Sequence, residues 1–167
     1  MAQALLAREG TDRGVDIEVC SAGFLTEDRE AEPHAIQVMA ERGIDLADHR
    51  SRLTTPALLD EADLVIAMAR EHVREAHAVQ RDAFPRTFTL KELVRRGAAA
   101  GPVGRDLGGW LGAIDEERDP AELLGRDESD DIADPMGRPR RRFRSCADEI
   151  EANIIALADL LWPRGAP

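Results

Sequence analysis

The chain has 167 residues, 43% of them hydrophobic, a length and composition that suit one domain around a single core. Its 33 acidic residues outnumber 22 basic ones, and the net charge of −11 argues against a general binder of nucleic acid or of anionic membranes. No apolar run has the length to span a bilayer, and the first residues lack the basic, then apolar, then small pattern of a secretory signal, so a cytoplasmic location is expected.

Residues 1–9 (MAQALLARE) are mostly helix formers with Leu5 and Leu6 as apolar contribution, and Gly10 is the expected end. This helix opens with no cap and no element before it, the pattern expected either of a frayed terminus or of an element whose first half is missing. Residues 15–20 alternate apolar and polar, which predicts a half-buried strand stopped by Ser21-Ala22-Gly23. A helix is predicted over 33–42, with Ile36, Met39 and Ala40 on one face and Gly43 as its cap. Thr54-Thr55-Pro56 starts another, with Thr55 as N-cap and Pro56 at the first helical position, running to about Ala62. The apolar run at 63–68 fits a strand buried on both faces. A helix over 70–80, a strand over 86–90 and a helix over 91–96 ended by Gly97 follow. Cys20 is expected as a buried strand thiol, and the spacing of Cys20 and Cys146 suggests neither a disulfide framework nor a metal site; no cofactor is expected.

Residues 97–129 are Gly-rich, with short helical pieces expected at 107–114 and 120–124. The acidic cluster at 130–134 then ends in Asp134-Pro135-Met136-Gly137. Pro135 fixes its own φ and moves Asp134 out of the α region, so the Asp134 carboxylate is held on a stiff loop, as a general acid would be; alone, this is also what an ordinary acidic turn looks like. A basic run at 138–144 follows, suited to an acidic partner or to a solvated turn. Ser145 and Asp148 resemble a capping box, placing Cys146 in the first turn of a helix whose apolar stripe is Ala147, Ile150, Ile154, Leu157 and Leu161.

The order of elements is that of a single α/β layer domain, 1–167, with parallel strands joined by crossover helices and an insertion at about 97–129. Several segments, taken in order, resemble the low-molecular-weight protein-tyrosine-phosphatase family: Met1-Ala2-Gln3-Ala4-Leu5-Leu6, Ser21-Ala22-Gly23, Gly43-Ile44-Asp45-Leu46 with Asp48-His49-Arg50, Glu61-Ala62-Asp63-Leu64-Val65 with Met68, and Asp134-Pro135. The resemblance covers residues 1 to about 94 and 130–162. It implies a three-layer fold with a short parallel sheet and hydrolysis of a phosphomonoester through a cysteinyl-phosphate intermediate. The substrate would be a phosphorylated protein or a small phosphomonoester. It also implies that Asp134 is the general acid, that Ser21 and His49 support the phosphate-binding loop, and that Met136 stands where the family often has an aromatic walling the substrate ring. The methionine weakens the case for a phosphotyrosine preference. Read without the family, Ser21 is a strand-end turn residue and His49 a surface histidine at a helix start.

The family's first strand leads into a Cys-x5-Arg loop, whose thiolate attacks phosphorus while successive backbone N–H groups and the arginine hold the phosphoryl oxygens. Here Thr26 stands six positions after Cys20 and Ala152 six after Cys146, so neither cysteine is followed by that arginine. The chain is thus expected to begin just past the loop and to be inactive as it stands. By resemblance the first strand is the central one in the order 2-1-3-4, which would leave 15–20 and 63–68 facing a gap for another copy or a partner to fill. A shortened phosphatase, a catalytically dead binding module and an arsenate reductase-like protein are the competing readings, the last disfavoured because the two cysteines are far apart in sequence.

Overall fold

The computed structural model describes residues 1–116, 118 and 128–164. The predicted helical piece at 120–124 lies outside them. Two compact units are distinguished, 1–54 with 133–155 and 55–132 with 156–167.

In the first unit, helix α1 spans Ala2–Asp12. Gly10 does not end it. It is buried within the helix, and a Cβ there would stand 2.7 Å from Ile17 Cδ1, so this glycine is a packing position rather than a cap. Gly14, at φ +67°, makes the turn instead. Residues 15–20 keep the predicted alternation, with Val15, Ile17 and Val19 half-buried and the intervening side chains exposed, yet they form no strand. The alternation is what the sequence predicts; what is lacking is a ladder partner among the described residues, and a strand is defined by its ladder. Cys20, expected to be buried, is exposed. Helix α2, Pro33–Ala40, is capped by Glu32, whose carboxylate accepts from the N–H groups of His34 (2.6 Å) and Ala35 (3.0 Å). Gly43, at φ +72°, lets the Ile44 N–H return to the Met39 carbonyl. Buried Leu5, Val38, Met39, Phe143, Ala147 and Ile150 form the apolar interior of this unit.

The second unit opens with α3, Pro56–Glu61, where the Thr55 hydroxyl accepts from the Leu58 N–H at 3.3 Å. Strand β1, Val65–Ala67, then α4, Arg70–Val79, a 3-10 helix, Arg81–Arg86, and β2, Thr87–Thr89, make a parallel two-stranded sheet with Ile66 opposite Phe88. Helix α5, Leu90–Ala100, runs through Gly97 and ends at Gly101, at φ +85°. Gly97 is again a packing position: a Cβ would meet Trp110 Cζ2 at 2.8 Å and Leu160 Cδ1 at 2.9 Å. Helix α6, Leu107–Asp115, is capped by Asp106.

Helix α7, Arg140–Leu161, starts five residues before the predicted capping box. Ser145 is inside it, its hydroxyl donating to the Arg141 carbonyl at 3.1 Å, and Cys146 is beyond its first turn. Pro139 stands just before the start, and its carbonyl accepts from the Arg142 N–H at 2.8 Å. The protein is therefore α/β, a short parallel sheet flanked by helices. Among the described residues, no helix is long and apolar enough to cross a membrane.

Candidate functional site

The acidic cluster separates into residues that build and one that is presented. In the second unit, buried Asp130 pairs with Arg95 at 2.7 Å and Arg70 at 3.6 Å. Asp131 Oδ1 accepts from the Arg70 N–H at 2.8 Å, capping α4, whose own N-cap residue Ala69 has no polar side chain. The Ile132 N–H donates to the Met68 carbonyl at 2.8 Å.

Asp134, in the first unit, is exposed, and its Oδ1 accepts from the Met136 N–H at 2.9 Å. A carboxylate that bonds the backbone two residues on closes an Asx turn, with Pro135 as its rigid element. The Arg138 N–H returns to the Pro135 carbonyl at 3.0 Å through Gly137, at φ +70°. Met136 beside it is 61% exposed, a large apolar side chain turned to solvent.

The other site candidates lie in the same unit. The Ser21 hydroxyl donates to Gln3 Oε1 at 2.6 Å, while Gln3 Nε2 donates to the Val19 carbonyl at 3.0 Å. Gln3 was not singled out in the sequence, although a lone polar residue within the apolar opening Met1-Ala2-Gln3-Ala4-Leu5-Leu6 is the signal that could have found it. His49 is half-buried; burial, then the positive Met1 amine, Arg52 and Arg50, hold its pKa below the usual histidine value. Burial also lowers the pKa of the Met1 amine, against the opposing influence of Cys146. Burial pushes the Cys146 thiol up to about 11, with Glu149 and Asp134 adding to the shift. A thiol so placed is protonated at neutral pH and a poor nucleophile. The Met1 amine at the opening of α1 thus lies within electrostatic reach of both His49 and Cys146, and Cys146 within reach of Asp134, while Ser21 is tied to α1 through Gln3. Ser21 and His49 are not bonded to each other. Among the described residues, no group of His, Cys, Asp and Glu is arranged to hold a metal ion.

Residues 1–101 match the family described as "Low molecular weight phosphotyrosine protein phosphatase". A protein-arginine-phosphatase of Bacillus subtilis is 35% identical over 128 residues, 75% of this chain and 83% of its own. A second, from Geobacillus stearothermophilus, is 34% identical over 87% of this chain and 77% of its own. Among solved structures, a low-molecular-weight protein tyrosine phosphatase from T. tengcongensis superposes with a TM-score of 0.72 at 27% identity, covering 96% of this chain and 88% of that one.

Proposed function

Since the chain belongs to the low molecular weight phosphotyrosine protein phosphatase family, we propose that it supplies the proton-transfer half of a protein-phosphatase site, with Asp134 as general acid. The observation that supports this reading is the Asp134 turn: an exposed carboxylate on a proline-stiffened loop, one oxygen tied to the Met136 N–H and the other bonded to nothing among the described residues. In the reaction a thiolate attacks phosphorus, the bond from phosphorus to the leaving group breaks, and Asp134 gives its proton to the departing atom. Water then displaces the thiolate as the Asp134 carboxylate takes up a proton. Ser21 with Gln3, and His49, support the anion-binding loop, and Met136 walls the substrate side chain.

These 167 residues contain no Cys-x5-Arg, and Cys146 is buried with a raised pKa, so no turnover is expected of them by themselves. The test joins a strand and Cys-x5-Arg segment of a family member ahead of Met1 and assays p-nitrophenyl phosphate, a phosphotyrosine peptide and a phosphoarginine peptide side by side. Two of the relatives being arginine phosphatases is the reason for the third substrate. Turnover is expected in the joined chain and not in the 167-residue chain. Asp134→Asn should lower kcat roughly 10²- to 10⁴-fold, the usual worth of a positioned general acid. A joined chain that turns over equally well with Asp134→Asn would overturn the assignment, as would turnover by the 167-residue chain alone.

A further inference from the structure

Five arginines and no carboxylate stand between residues 138 and 144 of a chain whose net charge is −11. The structure divides them. Arg140 and Arg144, four apart and so on one flank of α7, both close on Glu41, Arg144 at 2.9 Å. Glu41 is held below the usual carboxylate range by the Arg144 hydrogen bond first and Arg140 after it. Arg138, Arg141 and Arg142 are also exposed, but none has an ion pair or a side-chain hydrogen bond among the described residues. Phe143, Cys146 and Ala147 point inward, so Arg141 falls on the outer face of the helix and Arg142 on the flank away from Glu41. Arg138 adjoins the acid turn, its N–H bonded to the Pro135 carbonyl at 3.0 Å, and exposed Met136 lies between it and Asp134.

We propose that Arg138, Arg141 and Arg142 form a docking face for acidic residues that flank the phosphorylated side chain of a protein substrate. The inference rests on the proposed function only for the phosphorylated residue; the docking face itself stands on charge and exposure. Three free guanidinium groups beside an acid-bearing turn suit carboxylates, which they grip in two-point contacts. Acidic peptide is repelled by the excess negative charge of the molecule, so the arginine face is where it is steered. Met136 offers a neighbouring apolar contact, so recognition is of a peptide rather than of bare charge.

The experiment measures capture, not turnover, on the 167-residue chain, by fluorescence anisotropy of a labelled peptide of alternating aspartate, glutamate and glycine. Saturable binding is expected, weakening steeply as salt is raised. The triple change Arg138→Ala, Arg141→Ala, Arg142→Ala should weaken it at least about tenfold. Arg81→Ala with Arg105→Ala, at exposed arginines elsewhere, should leave it within about twofold. Unchanged thermal unfolding identifies the triple variant as folded, and single substitutions giving graded losses serve if it is not. Equal binding of an uncharged peptide, equal competition by single-stranded RNA, or full binding by the triple variant would overturn the proposal. Capture needs no nucleophile and no proton transfer, so failure of the Asp134 assignment appears in the joined-chain assay alone, and failure of the docking face appears here alone.

Discussion

The two cysteines illustrate how far a residue's type is from its behaviour. Cys20 is exposed and Cys146 buried with its pKa pushed up to about 11 by burial first and by Glu149 and Asp134 after it. A thiol reagent at pH 8 should therefore label one thiol in the native protein and both in urea, counted by mass; two labelled in the native state would contradict the burial of Cys146. The glycines divide in a similar way. At Gly97 an added methyl would press on Trp110, whose ring is fixed by its N–H donating to the Gly101 carbonyl at 2.9 Å. Gly97→Ala should cost about 1–3 kcal/mol in urea unfolding. Gly10→Ala presses on Ile17 Cδ1 and Cγ1, a side chain that can turn aside, meets the Val15 carbonyl oxygen at an ordinary 3.6 Å and gains helix propensity, so it should stay within about 1 kcal/mol of the parent. Neither role was legible in the sequence, where a glycine late in a helical pattern looks the same whether it ends the helix or admits a neighbour. The turn that holds Asp134 was legible, because proline and glycine fix a turn locally.

At the scale of elements, local signals were enough for α2, α3, β1, α4 and β2, while the 3-10 helix Arg81–Arg86 was not predicted. Thr55-Pro56 starts α3 as predicted, and the apolar run at 63–68 contains β1. The predicted strand at 15–20 did not appear as one, because pairing depends on a neighbour that periodicity does not reveal. The start of α7 was misplaced because Ser145 and Asp148 imitate a capping box, while the Glu41 partner of Arg140 and Arg144 in the true first turns is about a hundred positions away in sequence. Arg118 is a further contact invisible in sequence. Its guanidinium lies 4.4 Å from the ring centre of Phe84 and 4.2 Å from that of Phe88, pairs with Glu92 at 3.0 Å and Asp115 at 2.9 Å, and is 3% exposed. Arg118→Ala should cost roughly 3–5 kcal/mol, the penalty for breaking a buried ion pair, read as a lower urea midpoint. In the first unit, Glu151 takes hydrogen bonds from Arg8 at 2.5 Å and Arg42 at 3.0 Å, joining α1 and the turn after α2 to α7. Burial opposes its ionisation, but these bonds outweigh burial and its pKa is lowered. A lowered folded-state pKa contributes stability above the ordinary carboxylate range and loses it as pH falls through the folded value. Glu151→Gln should cost about 1–2 kcal/mol at pH 7. That deficit should shrink progressively once the pH drops below the ordinary carboxylate range; a deficit unchanged by acid would exclude the linkage.

For the molecule as a whole, 33 acidic side chains against 22 basic ones imply self-repulsion that dissolved salt relieves. Calorimetry should show the unfolding temperature rising with sodium chloride from low to physiological ionic strength; a fall would mean that the ion pairs described above outweigh the net charge. Out of that large acidic complement the proposed chemistry employs one side chain, and within it the Asx turn distinguishes two chemically identical atoms. Oδ1 is engaged by backbone, so a transferable hydrogen would reside on Oδ2. An asparagine at 134 can keep the turn with its oxygen and direct its amide outward, whereas alanine loses both functions. Comparing these two replacements would separate the cost of an inert donor from that of a collapsed loop.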